Sequence, residues 1–171
     1  MSGQSSNDDI LLFIMRHGEA ESLRLDDKSR RLTDAGREQV FRAARWLVSD
    51  YCPGAKVDLA MVSPYRRTRQ TFDMLTLDLA VSKTEISEDI VPEGNPQLVS
   101  DYIQTRIEMA KAKGKPLSNV LVVSHMPLVS YLVDALCHSY TTSLFATASI
   151  AVIRYSVSEG KGELLVHYQG R

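Results

Sequence analysis

The stretch Ile10-Leu11-Leu12-Phe13-Ile14-Met15-Arg16-His17-Gly18-Glu19 decides how the chain is read. Its apolar half is short and continuous rather than alternating. That pattern suits a strand buried on both faces, as in a parallel sheet. The run ends abruptly at Arg16-His17-Gly18, so a basic residue, an imidazole and a flexible backbone position fall together at the carboxyl end of a buried strand.

Outward from this strand the pattern alternates. A polar loop covers residues 19–31, and Thr33 is a candidate N-cap, with no Glu or Gln three residues on to complete a capping box. Ala35, Val40, Phe41, Ala44, Leu47 and Val48 recur at helical spacing and place a helix over 34–49, closed by Pro53-Gly54. A second apolar strand over 57–62 ends at Ser63-Pro64, and a helix is expected over 65–80. A weaker strand is expected near 84–87. A loop with Pro92, Gly94 and Pro96 leads to a helix over 98–113. Residues 119–123 form a further strand ending at Ser124-His125, followed by a helix over 128–136. Residues 146–156 and 163–168 alternate and carry β-branched or aromatic side chains on either side of Glu159-Gly160-Lys161-Gly162, the pattern of an antiparallel hairpin.

The sum is an α/β chain. We expect a three-layer sandwich with a mainly parallel sheet flanked by helices and a C-terminal antiparallel hairpin at the sheet edge. Residues 1–9, rich in Ser, Asn, Gln and Asp, are expected to be a disordered leader ahead of a single domain over 10–171. The 171 residues fit one domain and need no metal or disulfide staple.

Composition excludes several classes of function. The 20 basic and 21 acidic residues leave a net charge of -1, which argues against broad binding to nucleic acid. Cys52 and Cys137 are far apart and lack ligand spacing, so neither a disulfide framework nor a zinc site is expected. The N-terminus has no signal-peptide pattern, and no apolar run approaches the ~20 residues of a membrane span. We expect a cytoplasmic monomer that does not contact a membrane.

In such sheets ligands sit at the carboxyl ends of the strands. That edge collects Arg16-His17-Gly18-Glu19, Ser63-Pro64 with Arg66 and Arg67 in the next turn, and Ser124-His125. Phosphoryl transfer suits this set. Arginine offers a rigid fork of donors that matches phosphate oxygens, and fixed positive charge favours a transferring phosphoryl group. A neutral histidine can be a covalent nucleophile, and nearby arginines disfavour its protonation. Taken singly each piece says little: an Arg-His pair after a strand is common, and Arg66, Arg67 and Arg69 alone would be a solvated helix face. His138 and His167 read as a helix end and an outer strand. No Gly-x-Ser-x-Gly elbow, P-loop or dinucleotide glycine pattern is present, and the acids are too scattered for a metallophosphatase, so no cofactor or metal is expected.

Arg16-His17-Gly18-Glu19, Leu32-Thr33-Asp34-Ala35-Gly36-Arg37-Glu38-Gln39, Ser63-Pro64-Tyr65-Arg66-Arg67-Thr68-Arg69-Gln70-Thr71 and Val123-Ser124-His125 occur in the order found in the histidine phosphatase superfamily, which the chain resembles. The resemblance implies a phosphoglycerate mutase-like fold. It also implies His17 as the phosphorylated nucleophile, with Arg16, Arg67 and His125 completing the phosphate pocket; Arg66 and Arg69 do not carry over. The short length, Phe13-Ile14-Met15-Arg16-His17-Gly18 and the stretch from Val123 to Val133 are similar to SixA-type phosphohistidine phosphatases. These remove phosphate from histidine-containing phosphotransfer (HPt) domains of two-component signalling systems, so such a protein is the implied partner. Members acting on sugar phosphates usually carry a helical cap, and residues 78–98 are too few to form one. Many relatives place a general acid before the second histidine. Glu88, Asp89 and Glu93 are the candidates here, and we favour Asp89. Two other readings stay open: a phosphatase or mutase for a small phosphorylated metabolite, and a non-catalytic phosphate-binding module.

Overall fold

Strand β1 (Asp9–Arg16) is central to the sheet. It pairs parallel with β4 (Asn119–Ser124), Arg16 lying opposite Ser124, and antiparallel with β5 (Ile150–Ser156). With β2 (Lys56–Val62), β3 (Ala80–Ile86) and β6 (Lys161–Tyr168), the strand order is β3-β2-β4-β1-β5-β6. The strands from β3 to β1 are parallel, and the β5–β6 hairpin extends the sheet to its edge. In this computed structural model residues 9–22, 26–141 and 143–170 are described. The expected leader therefore lies outside the described residues except for Asp9, which opens β1.

Each central strand sends alternate side chains to opposite faces. Leu12 and Ile14 of β1 and Val120 and Val122 of β4 pack with α3 (Pro96–Ala112) and α4 (Leu128–Cys137), through Ile103, Ile107, Leu132 and Leu136. Phe13 and Met15, with Leu121 and Val123, pack with α1 (Asp34–Asp50) and α2 (Arg66–Leu75), through Val40, Ala44, Leu47 and Leu75. These side chains are buried, and each of the larger ones (all but Ala44) is worth about 1.5–3 kcal/mol in water-to-core transfer. The continuous apolar run of β1 is thus explained by a helical layer on both sides of it.

The helix starts follow local chemistry. Thr33 caps α1 by accepting from the Gly36 N–H at 2.9 Å. Asn95 caps α3, with Pro96 in the first turn, two residues earlier than expected. Two expectations are corrected at the element boundaries. The helix expected to reach residue 80 stops at Leu75, because Ala80 donates its N–H to Ala55 O and begins β3 beside β2. That strand is a largely exposed edge and carries little apolar signal. The strand expected from residue 146 begins at Ile150, since residues 146–149 form a turn closed by the Ser149 N–H donating to Ala146 O. Between β3 and α3 lies only the one-turn 3-10 helix Glu88–Ile90, so these residues form no cap helix.

Candidate active site

The carboxyl end of β1 is clamped from three directions. The His17 N–H donates to Ser124 O at 3.0 Å and the Ala148 N–H donates to His17 O at 2.8 Å. The Gly18 N–H donates to Thr71 Oγ1 at 3.1 Å. Helix α1 approaches so closely that a Cβ on Gly36 would lie 2.1 Å from Glu19 O, and one on Gly18 would lie 2.8 Å from Gly36 O. The two glycines let the N-terminal turn of α1 pack against the backbone that carries His17.

His17 is 6% exposed and its tautomer follows from its neighbours. A carbonyl can only accept, so the contact of 2.7 Å between Nδ1 and Gly18 O places the proton on Nδ1. Nε2 keeps its lone pair and accepts from Arg67 Nε at 3.2 Å. Burial pushes the imidazolium pKa down to about 3, helped by the charges of Arg67, Arg16 and Arg30 and opposed by the Gly18 carbonyl. His17 is therefore a neutral imidazole with an unprotonated Nε2 at pH 7.

Arg67, 4% exposed, is the inward-facing arginine of α2, whereas Arg66 and Arg69 are exposed. Its Nη1 donates to Asp27 O at 2.8 Å and its Nη2 meets Asp27 Oδ2 at 3.3 Å. Its guanidinium lies 5.0 Å from the centre of the Tyr65 ring. Arg16 donates from Nη1 to Phe145 O at 2.7 Å, and its buried Nε has no hydrogen-bond partner among the described residues.

His125, at the end of β4, completes the group. Its ring centre is 5.3 Å from that of His17 in an edge-on arrangement and 4.8 Å from that of Tyr65. Nε2 is 2.7 Å from Ser63 Oγ, while Nδ1 is buried without a hydrogen-bond partner among the described residues. Burial pushes its pKa down to about 2, aided by His17, Arg67, Arg16 and Arg30. The geometry thus brings together His17, His125, Arg16 and Arg67. Two neutral imidazoles, the buried guanidinium of Arg67 and the half-buried one of Arg16 form a site of concentrated positive charge, suited to a tetrahedral oxyanion.

Comparison with known proteins agrees with this geometry. The family model "Histidine phosphatase superfamily (branch 1)" matches residues 12–90. The Phosphohistidine phosphatase SixA homolog of Haemophilus influenzae is 37% identical over 161 residues, covering 91% of this chain and 93% of the relative. The chain belongs to the histidine phosphatase superfamily. Phosphohistidine phosphatase SixA of Escherichia coli is 36% identical over 146 residues, covering 83% of both chains. The structure of the protein histidine phosphatase SixA complexed with tungstate matches with a TM-score of 0.83 at 32% identity, covering 94% of this chain and 97% of that chain. The α/β fold of this histidine phosphatase is the SixA, phosphoglycerate mutase-like fold.

Two residues of this histidine phosphatase site escape the sequence reading. Arg30 lowers the pKa of both histidines and of Arg16 and Arg67, which places its charge at the site. Asp27 joins the two loop and helix cations, since its Oδ1 accepts from Arg30 Nη1 at 2.8 Å and its Oδ2 faces Arg67. Both lie in the polar loop between β1 and α1, where a charge that faces the site is indistinguishable in sequence from one that faces water.

Of the candidate acids, Glu88, Asp89 and Glu93 are all exposed. Ser124 Oγ donates to Ile90 O at 2.7 Å and ties their loop to the end of β4. The Tyr65 hydroxyl pKa is raised by burial first, then by the charges of Glu93, Asp27 and Glu88. Asp89 sits in the one-turn helix with its N–H capped by Ser87 Oγ at 3.2 Å. His138 is the left-handed C-cap of α4, and His167 lies on the outer strand β6.

Proposed function

We propose that this SixA-type phosphatase hydrolyses phosphohistidine on a partner protein, an HPt domain of a two-component system, through a phosphorylated His17. One observation carries the reading: the Gly18 carbonyl holds the His17 proton on Nδ1, so the lone pair at Nε2 faces the Arg67 guanidinium.

In the first step the Nε2 lone pair attacks phosphorus, forming an N–P bond as the substrate N–P bond breaks. The electron pair goes to the departing imidazole. The phosphorylated His17 ring then carries positive charge, which the Nδ1–H···O=C bond to Gly18 stabilises. Arg67, Arg16 and His125 hold the phosphoryl oxygens, and the polar atoms without protein partners, Arg16 Nε and His125 Nδ1, gain acceptors there. In the second step water attacks phosphorus. The His17–P bond breaks, the electron pair returns to Nε2, and the water proton leaves with inorganic phosphate.

A phosphohistidine ring protonated on its other nitrogen departs as neutral imidazole and needs little help from an enzyme acid. For alkyl phosphates Asp89 remains our proposed proton donor among the exposed acids Glu88, Asp89 and Glu93. The lack of a cap helix between β3 and α3 supports a substrate presented on a protein surface. We further propose a cytoplasmic monomer with one phosphatase domain from residue 10 onward. Cys52 and Cys137 are free thiols, in keeping with a reducing compartment. No helix among the described residues is long and apolar enough to cross a membrane.

A substrate panel tests the proposal. A phosphorylated HPt domain should release phosphate at least about 100-fold faster than sugar phosphates, because an alkoxide leaving group depends on general acid catalysis. The opposite preference would assign the enzyme to a small metabolite. No release from any substrate would leave a phosphate-binding module.

A further inference from the structure

We propose that Gln169 is a positioning residue for Arg16, acting through the carbonyl of Phe145. The inference rests on the reading in which Arg16 grips the phosphoryl group. Arg16 leaves β1 with Nη1 hydrogen-bonded to Phe145 O at 2.7 Å, and its buried Nε has no partner among the described residues. The direction of its donor fork is therefore set by where one carbonyl points. That carbonyl belongs to an irregular stretch between α4 and β5, where no sheet ladder fixes the peptide planes.

Gln169, just beyond β6, supplies what the ladder does not. Its Oε1 accepts from the Ala146 N–H at 3.0 Å, and its Nε2 donates to Leu144 O at 2.9 Å. The two bonds fall on the residues either side of Phe145. They pair with that segment as the backbone of a neighbouring strand would, and so fix the orientation of the Phe145 peptide. The Phe145 ring is held as well: it is 3% exposed and lies 4.3 Å, centre to centre, from the His167 ring of β6. The chain of contacts runs Gln169, Leu144 and Ala146, Phe145 O, Arg16. It crosses from the last strand of the sheet to the phosphate pocket without touching the reacting atoms.

The test is a double-mutant cycle read by calorimetric binding of tungstate, a tetrahedral oxyanion, to the full chain. Gln169→Ala should weaken tungstate binding about tenfold, from the loss of its hydrogen bonds to Ala146 and Leu144 and of the one between its Nε2 and His167 Nδ1. Gln169→Glu keeps an acceptor for Ala146 but sets a carboxylate oxygen against Leu144 O, so it should weaken tungstate binding at least as much as Gln169→Ala. In an Arg16→Ala background, Gln169→Ala should change tungstate binding by less than about twofold, because the two residues act in series. Equal losses in both backgrounds would overturn the inference and make Gln169 a general clamp of the loop. Unchanged binding in Gln169→Ala alone would also overturn it. If Arg16→Ala by itself bound tungstate normally, the phosphate-gripping role of Arg16 would fail first, a result separable from the others.

Discussion

The tautomer of His17 is decided by one carbonyl. Gly18 O takes the Nδ1 proton, and burial among guanidiniums keeps Nε2 bare. The same burial has a cost that pH can read. The ring has a pKa of about 3 in the folded protein and about 6.5 in an unfolded chain, so between these values the unfolded state binds more protons. The stability due to neutral His17 is complete above pH 6.5 and is lost as pH falls through this window. His17→Asn should remove about 1.4 kcal/mol per pH unit from the slope of unfolding free energy between pH 6 and 4, measured by urea titration at each pH. An unchanged slope would mean that His17 titrates alike in both states. In the proposed reaction Arg67 bears on the transition state instead. Arg67→Ala should lower kcat by about 10²–10³ while leaving the fold intact by circular dichroism, the loss typical of one charge-stabilising donor. His17, His125, Arg16 and Arg67 were legible in sequence because each sits at a strand end or in the helical turn after one. Asp27 and Arg30 were not, since loop conformation alone turns them inward.

At the scale of elements, the site depends on how closely helix α1 approaches the end of β1. Thr33 caps the helix, and Gly36 meets Glu19 O with no room for a side chain. Gly36→Ala would place a methyl 2.1 Å from that oxygen, so the backbone must move. We expect a loss of about 1–3 kcal/mol in stability, the usual range for overpacking, together with a fall in activity larger than that of Thr33→Ala. Thermal unfolding and kcat/KM measured on both variants check this; an intact activity in Gly36→Ala would show that the approach is not needed for the site. The helices and buried strands were readable because apolar spacing reports burial. The start of β3 was not, because an edge strand exposed to water carries no such spacing. Residues 146–149 looked like strand and proved to be a turn, since their N–H and C=O groups serve Arg16 and His17 rather than a ladder.

For the whole molecule, topology does the assembling. Residues 16, 67 and 125 are far apart along the chain, yet parallel strands β1, β2 and β4 deliver them to one edge. Helices cover both faces of the sheet, and Gln169, just past its edge hairpin, holds the segment whose Phe145 carbonyl accepts from Arg16. The α/β class was legible from alternation, whereas the phosphoglycerate mutase-like fold and the partner protein were legible only through family resemblance, because nothing in a phosphate pocket records what carries the phosphate. In the proposed intermediate these side chains converge on a phosphorus atom bonded to His17. Rapid quench of the enzyme with radiolabelled phosphohistidine protein, followed by peptide mapping, tests it most directly. A phosphorylated His17 should appear as an acid-labile, base-stable phosphate on the peptide containing His17, absent from His17→Ala. Turnover with no label on that peptide, or full activity in His17→Ala, would contradict it.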